Sequence, residues 1–259
     1  MPTANPQNDA PKIAIVTGGS RGLGRDTVLS LARRGVDSLF TYRSNRAEAD
    51  KVVALVAEAG RRAIALPLDT GKVAGFDPFV RQAGDALATL GDGRFDYLVN
   101  NAGTSLHKDF AAMTEADLDE VYEVHLKGVY FLTQKLLPLL NDGGRIVNIS
   151  SGLTRFSFPG SSGYAAMKGA VEVLTRYLAK ELGGRGITAN TVAPGAIATD
   201  FSGGMVRDNP EVNRMVAGST ALGRVGQPDD IGPMIATLLA DDNRWVNAQR
   251  IEVSGGMMI

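Results

Sequence analysis

Residues 12–24 read KIAIVTGGSRGLG, an apolar run followed directly by a glycine-rich turn. The apolar run predicts a buried strand, and the segment after the turn has helical period. Gly18, Gly22 and Gly24 allow a tight turn and a close approach of the backbone to a pyrophosphate, whose charge a helix N-terminus stabilises. This strand, turn and helix predict a nucleotide-phosphate site, although glycines also occur in turns that are merely compact.

Short apolar runs alternate with longer segments of helical period along the rest of the chain. The runs are rich in Val, Ile and Leu without strict alternation, as expected for strands that helices cover on both faces. We therefore predict an α/β fold, a Rossmann-like doubly wound parallel sheet of about seven strands with helices on both faces. The predicted strands are 12–17, 38–42, 63–67, 95–100, 145–150, 188–193 and 250–253. Asp77-Pro78 and Gln227-Pro228 each predict a helix start with proline in the first turn.

The composition limits the class of protein. A chain of 259 residues that is 44% hydrophobic suits one large domain, which we place at 12–259 after a flexible tail, 1–11. The motifs described below make that domain a dinucleotide-binding catalytic one. The net charge of −1 gives no reason to expect a nucleic-acid or membrane partner. The tail has no apolar signal region, and no apolar run is long enough for a membrane span. The absence of cysteine excludes disulfides and is compatible with a cytoplasmic protein.

Ser151, Tyr164 and Lys168 form the most informative set of polar residues. Tyr164 and Lys168 lie four residues apart in a stretch that is predicted to be helical, so their side chains share one face. A cation beside a phenol favours the phenolate and lowers its pKa, so that the phenol can exchange a proton with a carbonyl or alcohol near neutral pH. The same spacing is also common on exposed helices, where Tyr and Lys are only surface neighbours.

The glycine turn, the segment Asn100-Asn101-Ala102-Gly103 and the three residues Ser151, Tyr164 and Lys168 together resemble the short-chain dehydrogenase/reductase (SDR) family. The likeness runs from about residue 12 to the end of the chain. It implies hydride transfer with a nicotinamide cofactor, Tyr164 as general acid or base, and Ser151 as a hydrogen-bond donor to the same substrate oxygen. Lys168 would also contact the nicotinamide ribose. Ser150 competes with Ser151, but the family spacing favours Ser151 and leaves Ser150 a structural role.

The resemblance implies cofactor contacts along most of the chain. They are Gly18, Ser20, Arg21, Gly22, Leu23 and Gly24 in the turn, Tyr42, Arg43 and Ser44 after the second strand, Asp69 and Thr70 at the adenine, Asn101, Ala102 and Gly103 in the nucleotide pocket, Tyr164 and Lys168, and Pro194, Gly195, Ile197 and Thr199 at the nicotinamide.

The end of the second strand predicts NADP (NADPH) as the cofactor and makes NAD less suitable. No carboxylate follows Tyr42 to bind the ribose hydroxyls. Arg43, together with Arg21, can pair instead with a 2′-phosphate, because a guanidinium fork matches phosphate oxygens. The alternative is that either arginine is a solvated surface charge.

His125 stands where the family commonly has asparagine in a proton relay to the active-site lysine. The helical period of its segment predicts that His125 points inward. It is then either a satisfied core residue or a replacement for the asparagine, and an imidazole in that role could make the relay sensitive to pH. Under the second reading, His125→Asn preserves activity and shifts the pH profile.

The substrate site is expected in segments 152–158 and 201–205, whose apolar side chains suit a ketone or aldehyde with a hydrophobic body. His107 is expected at the rim, and two histidines without clustered carboxylates do not indicate a metal site. The resemblance implies a homotetramer, or a homodimer, built on helices within 118–140 and 164–182, with a second contact at 254–259.

The predicted function is NADP(H)-dependent interconversion of a carbonyl and an alcohol, the carbonyl being a ketone, an aldehyde or a 3-oxoacyl group. Two alternatives remain open from the sequence. One is the specific role of a 3-oxoacyl-acyl-carrier-protein reductase, and the other is a non-catalytic NADP-sensing protein.

Overall fold

A computed structural model describes residues 11–259, so the predicted flexible tail lies, apart from Pro11, outside the described residues. Seven parallel strands form one sheet in the order β3-β2-β1-β4-β5-β6-β7. The strands are β1 Ile13–Val16, β2 Asp37–Tyr42, β3 Ala63–Pro67, β4 Phe95–Asn100, β5 Leu140–Ile149, β6 Thr188–Pro194 and β7 Arg250–Val253. The predicted doubly wound sheet is confirmed.

The helices of the described chain cover both faces of the sheet. They are α1 Gly22–Ala32, α2 Arg46–Glu58, α3 Phe76–Leu90, α4 Glu115–Tyr122, α5 Gly128–Leu136, α6 Ser162–Glu181, α7 Met205–Asp208, α8 Pro210–Gly218 and α9 Pro228–Leu238. A π-helical segment, Glu123–Lys127, joins α4 to α5. None of these helices combines the length and the apolar character that crossing a membrane would require.

Two apolar cores lie on opposite faces of the sheet. The first packs α1, α2 and α9 against side chains such as Val16 and Phe40, and the second packs α3, α5 and α6 against side chains such as Ile15 and Leu98. Neighbouring residues of one strand thus enter different cores, because successive side chains point to opposite faces. This explains why the strands read as continuous apolar runs.

Strand order reverses between β1 and β4, because β1 pairs with β2 on one side and with β4 on the other. In open parallel sheets, ligands bind at such a switch point, beyond the carboxyl ends of the strands. The glycine turn after β1 and the Asn101 segment after β4 therefore face the same crevice.

Two element boundaries differ from the sequence prediction. β5 begins at Leu140, not at residue 145, because Leu140 already pairs with Phe95 before an irregularity that contains Gly143 in a left-handed conformation. α3 begins at Phe76, so Asp77 lies inside the first turn and does not cap the helix. Phe76 is fully buried, and its packing places the helix start two residues before Pro78, the first helical residue that the sequence predicted. Gln227 and Pro228 open α9 as predicted.

Candidate active site

The glycine turn is shaped by positions that exclude a side chain. Gly18 has φ of 67°, in the left-handed region that favours glycine. A Cβ placed on Gly24 would lie 2.2 Å from the carbonyl oxygen of Gly18, so the turn closes only with glycine there. The N-terminus of α1 follows at Gly22, with the exposed Arg21 in the N-cap position and no side-chain cap. Backbone N–H groups are thus left to bind a phosphate.

Asn101 ties the end of β4 to this turn. Its amide nitrogen donates to the carbonyl oxygens of Thr17, at 2.9 Å, and Gly18, at 3.2 Å. The hydroxyl of Thr17 in turn accepts from the backbone N–H groups of Asn101 and Ala102. These bonds fix the two sides of the crevice relative to each other.

The segment after β6 reaches the same crevice. A Cβ placed on Gly22 would lie 3.6 Å from the side chain of Thr199. A Cβ placed on Gly152 would lie 3.6 Å from the carbonyl oxygen of Pro194. The segment that the family likeness places at the nicotinamide therefore lies between the glycine turn and the residues after β5. Gly195 packs tightly on Ser254, and Ile197 forms a β-bridge to Gly226.

The adenosine end of the crevice brings Arg43 and Asp69 together. The Arg43 side chain is 70% exposed, and its Nε lies 3.6 Å from a carboxylate oxygen of Asp69. Asp69 also accepts from the backbone N–H of Gly71, at 3.1 Å. Tyr42 is buried, whereas Ser44 is exposed. Arg43 thus projects at the end of β2 with an exposed guanidinium, and an exposed pair of this kind contributes little stability.

Lys168 is buried beneath the end of β5. Its ammonium donates to the carbonyl oxygen of Ile149 at 2.7 Å and lies 5.6 Å from the centre of the Tyr164 ring. Burial lowers the pKa of Lys168 to about 7, because a charged amine is poorly solvated there. The predicted neighbourhood of Tyr164 and Lys168 on one helical face is observed.

The expected lowering of the Tyr164 pKa is not what the structure shows. Tyr164 is half-buried, and desolvation by the surrounding protein raises the pKa of its phenol. The neighbouring Ser151 hydroxyl partly opposes the rise. Tyr164 is therefore a protonated group that can donate near neutral pH.

His125 lies in the π-helical segment and is 1% exposed. Its Nε2 is 2.8 Å from the carbonyl oxygen of Thr104, and its ring packs edge-on against Tyr164 with centroids 5.0 Å apart. Gly103 makes room for the imidazole, since a Cβ there would lie 2.8 Å from the ring. π-Helical segments occur frequently at functional sites.

The burial of His125 does not favour a relay that titrates near neutrality. Burial, followed by the charge of Lys168, lowers the pKa of His125 to about 3. The imidazole is neutral at physiological pH, so it shapes the site without changing charge. The inward orientation predicted for His125 is observed.

Ser150 and Ser151 have different environments. The Ser150 hydroxyl is buried and donates to Glu172 at 2.7 Å, which fits the structural role predicted for it. The Ser151 hydroxyl accepts from the backbone N–H of Leu153 at 3.2 Å and lies at Tyr164. Sequence reasoning missed Glu172, although it follows Lys168 by four residues and so lies on the same face of α6.

Aromatic and apolar side chains border Tyr164. Phe201 lies 6.1 Å from the Tyr164 ring, between ring centroids, and is 43% exposed. His107 is exposed and pairs with Phe158 at 6.5 Å, as expected for a rim residue. Ser202 and the two following glycines have positive φ, which gives the segment before Met205 a sharp, irregular path. The described residues contain no group of His, Cys, Asp or Glu arranged to hold a metal.

Comparison with known proteins defines the class. A glycine turn at the switch point of a parallel sheet, with Ser151, Tyr164 and Lys168 beyond β5, is the site of a nucleotide-dependent oxidoreductase. The family model described as "Enoyl-(Acyl carrier protein) reductase" matches residues 18–258. The chain belongs to the short-chain dehydrogenase/reductase family.

One curated relative and two solved structures illustrate the likeness. The "Hydroxynaphthalene reductase-like protein Arp2" of Metarhizium brunneum is 37% identical over 97% of this chain and 96% of its own length. The "Promiscuous Reductase LugOII", which "Catalyzes Keto-reduction at C1 during Lugdunomycin Biosynthesis", has a TM-score of 0.91 at 37% identity, covering 96% of this chain and 99% of that one. The "angucycline C-6 ketoreductase LanV with bound NADP" has a TM-score of 0.90 at 32% identity, with 95% of each chain covered.

Proposed function

We propose that this protein is an NADPH-dependent ketone reductase in which Tyr164 is the general acid. The observation that carries the proposal is the meeting of Ser151, Tyr164 and Lys168 beside the glycine turn, at the carboxyl edge of the sheet. LugOII and LanV are named as enzymes of keto-reduction, and the chain is similar to both over nearly its whole length.

In the proposed reaction, the nicotinamide cofactor supplies a hydride to the carbonyl carbon when it is bound. The Ser151 hydroxyl donates a hydrogen bond to the carbonyl oxygen and holds it near Tyr164. Tyr164 then donates its proton to that oxygen as negative charge develops. Because burial keeps the phenol protonated, Tyr164 is in the form that reduction requires near neutral pH.

Lys168 and His125 both lie against the Tyr164 ring and hold it in place in this proposal. Lys168 is held by the carbonyl oxygen of Ile149, and with a pKa of about 7 it exchanges its own proton in the neutral range. His125 stays neutral and fixes the Tyr164 ring by edge-on packing. The imidazole therefore takes a positioning role, not that of a titrating relay.

The residues present fit a dinucleotide with a 2′-phosphate. Gly18 and Gly24 keep the phosphate cradle clear of side chains, and Arg43 places an exposed guanidinium where the adenosine ribose would lie. In addition, LanV is named with bound NADP. We therefore assign NADPH as the preferred cofactor and Arg43 as the residue that selects it.

An aromatic ketone of two or more fused rings is the proposed substrate class. Phe201 presents a partly exposed ring beside Tyr164, and Phe158 presents another at the rim beside His107. Flat apolar rings offer area for stacking with a flat substrate. The names of the relatives, a hydroxynaphthalene reductase-like protein and an angucycline ketoreductase, agree with such a substrate.

The test is NADPH oxidation by purified enzyme with a bicyclic aromatic ketone, an acetoacetyl thioester and an aliphatic ketone. We expect the bicyclic ketone to give the largest kcat/KM, and Tyr164→Phe to lower it about 10³-fold because the proton donor is lost. NADPH binding, followed by its fluorescence, should persist in the Tyr164 variant.

A larger kcat/KM for the acetoacetyl thioester would favour the alternative role of a 3-oxoacyl-acyl-carrier-protein reductase. Tight NADPH binding without turnover on any carbonyl would favour a sensor. Equal turnover by Tyr164→Phe would contradict the general-acid assignment.

Assembly as a homotetramer, or a homodimer, in a cytoplasmic setting completes the proposal. Exposed aromatic side chains on two of the helices expected at the interface, Tyr130 on α5 and Tyr177 on α6, support self-association. Sedimentation should show a multimer, and a monomer at micromolar concentration would refute it.

A further inference from the structure

A network of charged and hydroxyl groups lies behind Ser151, on the side away from the glycine turn. We call it the rear network; its members are Thr154, Arg155, Glu172, Arg250 and Glu252. Its charges alternate from Glu172 to Arg250, Glu252 and Arg155, so each carboxylate has a guanidinium partner. Partly buried charges are tolerated when they are paired in this way.

Glu172 is the centre of the rear network. One of its carboxylate oxygens accepts from the hydroxyls of Ser150 and Thr154, each at 2.7 Å, and from Nε of Arg250 at 2.8 Å. The Glu172 side chain is only 14% exposed. Hydrogen bonds to a charged and largely buried acceptor are the stronger kind.

The backbone of Ser151 is held by the same network. The Thr154 hydroxyl lies 2.9 Å from the carbonyl oxygen of Ser151, and Nη2 of Arg250 donates to that oxygen at 3.3 Å. Glu172 therefore holds the residue before Ser151, while Thr154 and Arg250 hold Ser151 itself.

The face of α6 that carries Tyr164 thus contacts the end of β5 at two successive residues. Lys168 binds the carbonyl oxygen of Ile149, and Glu172 binds the hydroxyl of Ser150. Tyr164 is on the same face, one turn before Lys168. These contacts fix the end of β5 relative to the face of α6 that carries Tyr164.

We propose that Glu172 and Arg250 are positioning residues that hold the Ser151 hydroxyl at the distance from Tyr164 that carbonyl reduction requires. The proposal rests on the proposed function, since it assigns Ser151 and Tyr164 to one substrate oxygen. A displacement of about 1 Å at such a group can lower a rate about 10²-fold, so the network controls kcat without touching substrate.

The first experiment compares Glu172→Ala and Glu172→Gln with Glu181→Ala, an exposed glutamate at the end of the same helix. Glu172→Ala should lower kcat at least about tenfold, with the Kd for NADPH unchanged. Glu172→Gln keeps an acceptor oxygen and should recover part of the loss. A kcat for Glu172→Ala equal to that of Glu181→Ala would overturn the proposal.

A double-mutant cycle with Ser151→Ala separates positioning from a general loss of stability. If Glu172 acts through Ser151, its removal should have almost no further effect on kcat once the Ser151 hydroxyl is gone. The same fold loss in both backgrounds would overturn the proposal. If Glu172→Ala does not fold, the nearly isosteric Thr154→Val is judged by the same cycle, because it removes the hydroxyl that lies between Glu172 and the Ser151 carbonyl.

Hydrogen exchange tests the anchoring without any turnover. The amides of Leu153 and Thr154 bond to the hydroxyl and carbonyl of Ser151, so Glu172→Ala should speed exchange in residues 151–156 relative to Glu181→Ala. Unchanged protection would overturn the inference. Failure of the wild-type enzyme to reduce any carbonyl would instead count against the proposed function, with exchange still deciding the anchoring.

Discussion

The nucleotide half of the crevice and its catalytic half are built in different ways. Around β1 and β4, backbone groups form the site, with Gly18 and Gly24 kept free of side chains and Asn101 as a brace. Around β5 and α6, buried side chains form it, notably Lys168 and Glu172.

The difference follows from the chemistry of each half. A phosphate needs N–H groups and space, and glycine supplies both. Proton transfer needs functional groups held in place away from water, and burying them shifts their pKa. The nucleotide half therefore depends on positions that carry no side chain. The catalytic half depends on contacts between residues that are distant in the sequence.

Among the variants that compare the two halves of the crevice, Lys168→Met should have the largest effect, because it removes the buried amine from the catalytic half. We expect kcat to fall about 10²-fold or more, because the proton path behind Tyr164 loses its amine. Lys180→Met, at an exposed position of α6, is the matched control. Activity retained by Lys168→Met would show that the catalytic half does not need this charge.

Lys168→Met should also be more stable than the wild type at neutral pH. The Lys168 pKa falls from 10.5 in the unfolded chain to about 7 in the native state, so between these values the unfolded chain holds the extra proton. Stability then decreases as pH falls through this window. Without the amine, Tm at pH 7 should rise by a few degrees, and the difference should vanish as pH approaches 10.5. A lower Tm for Lys168→Met at pH 7 would contradict the pKa shift.

Gly24→Ala tests whether the nucleotide half depends on an absent side chain. The new Cβ would lie 2.2 Å from the Gly18 carbonyl oxygen, so the turn must open. Overpacking of this kind costs about 1–3 kcal/mol, so we expect NADPH affinity to fall roughly tenfold to a hundredfold. Gly84→Ala is the control, because a Cβ there meets nothing within 4 Å. Equal NADPH affinity in both variants would show that the cradle tolerates a methyl group.

Arg43→Ala should separate the two cofactors. Loss of a charge-assisted contact to the 2′-phosphate should raise the KM for NADPH about tenfold and leave the KM for NADH unchanged. The control is Arg81→Ala, an exposed arginine on α3. A similar rise in KM for both cofactors in Arg43→Ala would contradict the assignment of Arg43 as the residue that selects NADPH. Equal use of NADH and NADPH by the wild type would contradict it as well.

His125→Asn should have the smallest effect. Because the His125 pKa is about 3, the imidazole is neutral from pH 5 to 9 and its removal should not shift the pH profile. We expect kcat to change by less than about threefold, under 1 kcal/mol. An inflection near neutrality that the variant loses would restore a titrating role for His125.

Residues in the nucleotide half could be predicted because their signals are local. The glycine spacing, the preceding apolar strand and Asn101 lie in short segments whose structure depends mainly on neighbours in sequence. The same holds for Tyr164 and Lys168, which share a helical face. The position of Arg43 directly after β2 was also predicted from the sequence, and its role toward a 2′-phosphate stays a prediction.

The direction of the pKa shifts could not be predicted in this way. The proximity of Lys168 suggested a lowered pKa for Tyr164, yet burial dominates and raises it. Burial likewise keeps His125 neutral. Desolvation depends on everything packed around a group, and short sequence patterns do not contain that information.

The sequence by itself determined the class of fold, the glycine turn and the shared helical face of Tyr164 and Lys168, because periodicity and glycine placement act locally. Only the tertiary structure decided how Ser151 is held. Glu172 and Arg250 lie 78 positions apart in the chain and meet only when β7 joins the sheet and α6 packs across it. The protonation of Tyr164 and His125 was decided at the same level, because burial is a property of the folded chain as a whole.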